Sequence, residues 1–221
     1  MLVFCFVHQR SYDEAVIECS LRHNRKMSRE TVADYYMYCR EVCVAGIESL
    51  LDVEGKIGGV NHQVQIDETK FGKRKYQRGR LVEGTWIFGM IDCETNEFRV
   101  QICKENKRDE KTLNDMILKY VEIGTTIVSD MWAGYKNLDQ YGYNHMTVNH
   151  SENFVDPITG ANTQKIEASW NILKKRLGRG GVRKSAMSLH LSEYMYQKHL
   201  RKEGGDPFLL FFKKIIEMYG I

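Results

Sequence analysis

The amino-acid sequence predicts an α/β protein in which a mixed five-stranded sheet with flanking helices follows a small helical segment. Three observations lead to this class. Residues 11–52 have helical spacing of apolar side chains, residues 62–103 contain runs of strand length, and from residue 109 onward helical and strand patterns alternate. Consecutive strands followed by strand–helix alternation describe a sheet that begins with three antiparallel strands.

The helical segment consists of two predicted helices. Ser11 and Ser28 are suited to cap their starts, and a polar, basic break at residues 22–26 separates them. The apolar positions of the second helix follow the spacing of one buried face: Val32, Tyr35, Tyr36, Cys39, Val42, Cys43, Ile47 and Leu50. Such a pair is consistent with a helix-turn-helix that contacts DNA, and equally with a structural pair. Glycines then mark the boundary of a first domain at residues 1–59, a possible helix-turn-helix remnant.

Five segments are predicted as strands: residues 62–67, 83–92, 98–103, 125–128 and 145–148. The second and third flank a tight turn and form an antiparallel hairpin. Helices are predicted between the later strands, at residues 109–122 and from Met131. The first strand ends at Asp67, and the fourth stops at Asp130. Each strand is therefore expected to deliver a carboxylate to an exposed strand end.

A late helix is predicted from Gln164 to Leu177, after the turn-rich residues 149–163. One face of this helix is apolar: Ile166, Trp170, Leu173 and Leu177. A different face carries Glu167, Asn171 and Lys174. If the apolar face packs on the sheet, the second face points along the sheet edge into a site. A helix in isolation would simply expose the same face to solvent.

The C-terminal part is predicted to hold a helix at residues 186–200 and a short amphipathic helix at 208–216. The α/β domain is assigned to residues 60–203 and the C-terminal helix to 204–221. The apolar opening at residues 1–7 is too short to span a membrane, so no membrane partner is expected.

Charge is concentrated in two segments. Residues 70–80 contain six basic side chains and no acid: Lys70, Lys73, Arg74, Lys75, Arg78 and Arg80. Residues 174–184 contain six more: Lys174, Lys175, Arg176, Arg179, Arg183 and Lys184. With a net charge of +3, the rest of the chain sums to −9. Basic patches on an otherwise acidic protein indicate a polyanionic partner. The six cysteines show no CxxC pair, which favours a reducing compartment.

Three acids have informative positions: Asp67, Asp130 and Glu167. The first and fourth strands of such a sheet can lie side by side, and the late helix can bring Glu167 across. Converging carboxylates repel one another unless a divalent cation lies between them. We therefore expect two Mg²⁺ or Mn²⁺ ions acting on a phosphodiester. Lys174 and the basic loop would hold the DNA backbone.

Several segments resemble one family of proteins, the ISXO2-like (IS1595) transposases and their eukaryotic Merlin relatives. The matching segments span roughly residues 28–200: TVADYYMYCREVC, VQIDETKFGKRKY, GTWIFGMID, TTIVSDMWAGY and VNHSENFVDPITGANTQKIEASWNILKKRL. The resemblance implies an RNase H-like catalytic domain with a DDE-type triad. That triad corresponds to Asp67, Asp130 and Glu167, with Lys174 at the position of the basic residue that follows the third acid.

Two details qualify the resemblance. The third acid is Glu167 where many bacterial members carry Asn, which favours the Merlin-like branch. Members often begin with a cysteine zinc ribbon, and this sequence shows none. A truncated start or a degenerate, host-adopted copy would account for this.

The leading expectation is a cut-and-paste DNA transposase that forms a homo-oligomer on transposon ends and target DNA. Two alternatives stay open: a transposase-derived DNA-binding protein without catalysis, and an RNase H-like nuclease. The expected location is the nucleus in a eukaryote, or the cytoplasm and nucleoid in a bacterium.

Overall fold

The computed structural model describes residues 1–23, 26–72, 84–149, 155, 160–177 and 182–220. Its α-helices are α1 (Leu2–Val7), α2 (Tyr12–His23), α3 (Arg29–Glu54), α4 (Glu110–Tyr120), α5 (Gln164–Arg176), α6 (Met187–Lys202) and α7 (Pro207–Tyr219). Its strands are β1 (Ile57–Gly58), β2 (Gln63–Phe71), β3 (Thr85–Asp92), β4 (Phe98–Ile102), β5 (Val121–Glu122), β6 (Thr126–Asp130) and β7 (Asn144–Val148).

The central sheet contains five strands in the order β4-β3-β2-β6-β7. Strand β3 pairs antiparallel with both β2 and β4, whereas β6 pairs parallel with both β2 and β7. This arrangement confirms the predicted mixed sheet with three leading antiparallel strands. Strands β1 and β5 form a separate two-stranded parallel sheet, which the sequence patterns did not predict.

A glycine on β3 sets how closely α5 approaches the sheet. A Cβ atom at Gly89 would lie 2.5 Å from Cζ2 of Trp170 and 3.2 Å from Cδ1 of Ile166. The predicted apolar face of α5 is confirmed, since Ile166, Trp170 and Leu173 are buried. The helix thus packs directly over β3 and β2, with its opposite side exposed.

Strand β2 is longer than predicted. It continues past Asp67 to Phe71, and every residue from Val64 to Phe71 pairs with β3. The charge of Lys70 does not end the strand because its ammonium group lies over the Trp86 ring, 5.4 Å from the centroid. The expectation that Asp67 ends the strand is therefore wrong.

The predicted helix from Met131 is also wrong. Residues Ala133–Tyr135 and Leu138–Tyr141 form two short 3₁₀ turns instead. The second turn ends at Gly142, whose φ of 85° stops the helical geometry.

The chain divides into two compact units, Met1–Val53 with Leu189–Ile221, and Glu54–Ser188. These limits differ from the predicted domain limits at residues 59 and 203. The domain limits stay a prediction. In the first unit, the Phe6 ring packs against Tyr36 and Phe211 at centroid distances of 5.3 and 5.6 Å. Tyr35, predicted on the buried face of α3, is 47% exposed and packs beside Tyr38 on the outer face.

All six cysteines are free thiols. Among the described residues, no helix combines the length and apolarity that crossing a membrane requires.

Candidate active site

The pairing of β2 with β6 places two of the predicted acids at the same level of the sheet. Gln65 pairs with Val128, and the parallel register with β6 ends there. Asp67 and Asp130 each lie two residues further along their strands. They project to the same face because side chains alternate with period two. The expectation that the first and fourth predicted strands are neighbours is confirmed.

The third acid comes from the first turn of α5. Glu167 is half-buried, and its Oε1 accepts a hydrogen bond of 2.8 Å from the hydroxyl of Thr163, the residue before the helix. Ile66, Asp67, Asp130, Thr163 and Glu167 line one pocket of about 240 Å³. The structure therefore brings the three predicted acids together.

Gln65 fixes the start of α5 to the sheet. Its side chain is buried, and its Oε1 accepts hydrogen bonds from the backbone N–H groups of Lys165 and Ile166, at 2.9 and 3.1 Å. These N–H groups belong to the first turn of the helix, where no carbonyl of the helix can reach them. The amide nitrogen of Gln65 donates to Asn162 Oδ1 at 3.2 Å. One buried glutamine on β2 thus positions the helix that carries Glu167.

Trp170 supplies the other link between α5 and the acids. Its indole N–H donates to Asp67 Oδ2 at 2.9 Å, and the Glu68 backbone N–H donates to Asp67 Oδ1 at 2.8 Å. The helical spacing predicted a core position for Trp170 alone, and no pattern in the sequence singled out Gln65 or Thr163. A glutamine between Val64 and Ile66 in an apolar run was the available signal for Gln65.

The electrostatics of the pocket disfavour the ionised state of Asp67. Burial raises the pKa of Asp67 to about 7, the negative charges of Glu68 and Asp130 add to the effect, and the two donated hydrogen bonds oppose it. Neither Asp67 nor Asp130 forms a salt bridge with any residue that the structure describes. The pocket therefore concentrates negative charge that its own side chains do not neutralise.

Glu68 lies on the other face of β2, but its charge still interacts with those of Asp67 and Asp130. Burial raises the pKa of Glu68, and Asp130 raises it further, while Tyr135 and Arg108 act in the opposite direction. Burial is also the main cause that raises the pKa of Tyr135, which lies close to Glu68. Even so, neither Glu68 Oε1 nor the Tyr135 hydroxyl makes a hydrogen bond of normal geometry with any residue that the structure describes.

The residues present fit a hard divalent cation. Among the described residues, the donors that face the pocket are carboxylate and hydroxyl oxygens, which Mg²⁺ and Mn²⁺ prefer, and none is a soft ligand. Burial and the charges of Glu68 and Asp130 raise the pKa of Asp67, and a cation bound at the pocket would act in the opposite direction.

A second group of possible ligands, His62, Asp92 and Glu94, lies where the β3–β4 turn meets the start of β2. Asp92 Oδ2 accepts from Gly58 N–H and contacts His62 Nδ1 at 2.8 Å, and its Oδ1 accepts from the N–H groups of Glu94 and Thr95. These bonds already occupy both Asp92 oxygens. We interpret the group as a clasp that holds the turn.

The predicted basic residues are only partly within the described residues. Lys174 is exposed on α5 and does not line the pocket; Lys175 is also exposed, and Arg176 is half-buried. Lys70 is half-buried beside Trp86, and Arg183 is exposed. The other predicted DNA contacts lie outside the described residues: Lys73, Arg74, Lys75, Arg78, Arg80 and Arg179.

The strand order and the acids beside β2 define the class, an RNase H-like fold with an acidic pocket. The family model of the ISXO2-like transposase domain matches residues 56–202, and the chain belongs to this family. The resemblance noted in the sequence is thereby confirmed.

Among solved structures, the chain is similar to the catalytic core domain of HTLV-2 integrase in complex with magnesium (dimeric form). The identity is 15% and the TM-score 0.37, over 62% of this chain and 84% of that one. It is also similar to the catalytic core domain of BIV integrase, at 16% identity and a TM-score of 0.38, over 71% and 97% of the two chains. A third similar structure is the simian T-cell lymphotropic virus intasome in complex with PP2A regulatory subunit B56 gamma, at 17% identity and a TM-score of 0.38, over 62% and 49%. The comparison with curated proteins gave no match.

Proposed function

We propose that this protein is a DDE-type DNA transposase that cleaves DNA strands and transfers the cut ends to target DNA. The observation that carries the proposal is the convergence of Asp67, Asp130 and Glu167 on one pocket. The three acids come from β2, β6 and α5 of a transposase-family chain.

Asp67, Asp130 and Glu167 would hold the divalent cations, Mg²⁺ or Mn²⁺, in a two-ion site. When bound, such ions activate the attacking oxygen and stabilise the leaving oxygen of an in-line phosphodiester displacement. The protein's own contribution is to hold the acids in place. Gln65 and Trp170 do so from the sheet and from the helix.

The chemistry follows from the nature of the two successive nucleophiles. In cleavage, water attacks the phosphorus, the 3′ oxygen leaves, and a free 3′-hydroxyl results. In strand transfer, this 3′-hydroxyl attacks a phosphodiester of the target DNA. A bond forms between its oxygen and the target phosphorus, and the 3′ oxygen of the target strand leaves. Both steps exchange one phosphodiester oxygen for another, so one acidic pocket serves both.

Positive side chains of the two basic segments are proposed to bind the DNA backbone. Lys174 lies two turns beyond Glu167 on α5 and would hold a phosphate close to the acids. The same role is proposed for the other basic side chains: Lys70, Lys73, Arg74, Lys75, Arg78, Arg80, Lys175, Arg176, Arg179 and Arg183. Pairing of two transposon ends implies a homo-oligomer in the active complex. A DNA substrate implies work in the nucleus of a eukaryote, or in the nucleoid of a bacterium.

The decisive experiment is cleavage of duplex DNA that carries the inverted repeats flanking the coding region, with Mg²⁺ or Mn²⁺. Asp67→Asn and Glu167→Gln are expected to reduce cleavage at least about 100-fold, because each removes a charged ligand. Asp115→Asn is the matched control, since Asp115 is an exposed acid of α4 outside the pocket. Equal cleavage by all four proteins would contradict the assignment of the acids.

Two other outcomes separate the alternatives. Hydrolysis without joining to a second DNA would identify a nuclease. Salt-dependent DNA binding that survives Asp67→Asn, with no metal-dependent nicking by the unmodified chain, would identify a DNA-binding protein without catalysis.

The backbone contacts are tested by the salt dependence of binding. Lys174→Gln is expected to weaken binding to all DNA sequences alike and to lower the slope of log K against log salt by about 1. Lys136→Gln, a change at an exposed lysine in the segment after β6, is the control. Equal slopes for the two variants would remove Lys174 from the interface.

A further inference from the structure

A stack of aromatic and cationic side chains lies beside the turn that follows Asp130, at the end of β6. The Arg108 guanidinium carbon is 4.4 Å from the ring centroid of Trp86 and 4.0 Å from that of Trp132. Lys70 places its ammonium group over the Trp86 ring as well, 5.4 Å from the centroid. We call Trp86, Arg108 and Trp132 the Trp–Arg–Trp stack.

The stack is joined to the acids through the backbone. Trp132 donates its N–H to Asp130 Oδ1 at 3.0 Å, so one indole is two residues from the second acid. On β3, Trp86 pairs with Lys70, three residues beyond the pair formed by Asp67 and Gly89. Both indoles therefore lie at the edge of the sheet where β2 and β6 are no longer paired. Trp86 and Lys70 project to the same face of the sheet as Glu68, and Trp132 connects this face to Asp130.

The segment before α4 holds one side of the stack in place. Asn106 Oδ1 accepts from the Trp86 backbone N–H at 2.7 Å, and Asn106 Nδ2 donates to the Gly84 carbonyl at 2.9 Å. Glu105 and Asn106 adopt positive φ values of 52° and 58°, a left-handed conformation that costs free energy in residues other than glycine. Arg108 follows two residues later.

Arg108 and Trp132 are available to bind a ligand. Arg108 has no carboxylate within 4.0 Å in the part of the chain that the structure describes. Trp132 is 38% exposed, and its neighbour Met131 is 65% exposed. An exposed indole backed by a guanidinium plane offers a flat face for another planar group and leaves N–H donors at its rim.

We propose that the Trp–Arg–Trp stack binds an unpaired nucleobase of the DNA strand next to the phosphate at the acids. Duplex DNA hides the faces of its bases, whereas an unpaired base can stack on an aromatic side chain. The exposed face of Trp132 receives the base, and Arg108 and Lys70 attract the adjoining phosphate. This inference rests on the proposed function, because it makes the stack a subsite for the DNA on which the acids act.

The test measures binding in EDTA, where no cleavage occurs, by fluorescence anisotropy with the full chain. One labelled duplex carries a two-nucleotide 3′ overhang, and a second carries the same overhang with abasic sugars. The chain is expected to bind the first about tenfold more tightly than the second, as base–aromatic stacking predicts. Trp132→Ala and Arg108→Gln are expected to bring this ratio to about 1, whereas Trp132→Phe keeps most of it.

Lys111→Gln is the matched control, since Lys111 is an exposed cation in the first turn of α4. It is expected to lower the affinity for both DNAs equally and to leave their ratio unchanged. The variants' folding is checked by circular dichroism, and Trp132→Phe provides the measurement if Trp132→Ala does not fold. In a folded Trp132→Phe variant, overhang DNA is expected to quench less tryptophan emission than in the unmodified chain.

The outcomes distinguish this inference from the proposed function. A ratio of about 1 in the unmodified chain, with duplex binding intact, would overturn the stacking site alone. An unchanged ratio in folded Trp132→Ala and Arg108→Gln would overturn it as well. No binding to either DNA would count against the proposed function itself.

Discussion

Replacing Gln65 by leucine tests whether the sheet positions the third acid. The leucine has nearly the same volume but accepts no hydrogen bond, so the N–H groups of Lys165 and Ile166 lose their partner. Each lost bond costs about 1 kcal/mol, and a buried donor without a partner costs about 1–3 kcal/mol. We therefore expect Gln65→Leu to lower the free energy of unfolding by about 2–4 kcal/mol. For a chain of this size, that lowers Tm by about 5–15 °C.

The same substitution is expected to reduce activity beyond its effect on stability. Glu167 follows Lys165 and Ile166 directly in the chain, so a shift of the start of the helix moves the Glu167 carboxylate. A displacement of about 1 Å at a reacting site can cost about 100-fold in rate. DNA cleavage at a temperature where the variant is fully folded is therefore expected to fall by about that factor.

Thermal unfolding and metal-dependent cleavage are the two assays. Gln101→Leu is the control because Gln101 is an exposed glutamine whose Oε1 accepts a long hydrogen bond of 3.4 Å from the Tyr120 hydroxyl. Its free energy of unfolding is expected to change by no more than about 0.5 kcal/mol. A Gln65→Leu protein that matches Gln101→Leu in both Tm and cleavage would refute the positioning role of Gln65.

Three further predictions concern the surroundings of the pocket. Trp170→Phe removes the indole N–H that donates to Asp67 at 2.9 Å. We expect urea denaturation to show a free energy of unfolding lower by about 2 kcal/mol. Titration of the metal-free protein is expected to show a further rise in the pKa of Asp67. Gly89→Ala places a Cβ 2.5 Å from Trp170, so overpacking is expected to cost about 1–3 kcal/mol in the same denaturation assay, and an unchanged midpoint would contradict the packing of α5. The hydrogen bond and the charge of Asp92 raise the pKa of His62 in the folded protein. Their stabilising effect is therefore complete below the pKa of His62 in the unfolded chain, about 6.5. It is lost as the pH rises through the raised pKa of the folded protein. The Tm difference between the unmodified chain and His62→Ala is accordingly expected to shrink from pH 5.5 to pH 8, and a difference independent of pH would argue against this ion pair.

The sheet could be predicted from the sequence because its order follows from local patterns. A hairpin turn at residues 92–96 joins β3 and β4, and α4 and the two 3₁₀ turns lie between the later strands, of which β6 and β7 pair in parallel. Once β2 and β6 are neighbours, Asp67 and Asp130 must lie close together. The acidic pocket could therefore be predicted from the sequence.

The features that were missed depend on tertiary partners. The end of β2 was placed too early because the pairing with β3 and the Trp86 ring keep Lys70 in the strand. The role of Gln65 was hidden because its partners lie 100 and 101 residues later in the chain. The Trp–Arg–Trp stack was not predicted because Arg108 comes from the segment before α4, which no local sequence pattern links to the end of β6.

The wide spacing of the acids along the chain also determines when the pocket can first exist. The end of β6 precedes the start of α5 by about 35 residues, so during synthesis β2, β3, β4 and β6 leave the ribosome before α5 does. Until then, Asp67 and Asp130 have neither Glu167 nor Trp170 beside them. A chain interrupted before residue 164 would thus lack the third acid and Trp170. If the proposed function holds, incomplete translation products cannot cut the DNA of the cell that makes them.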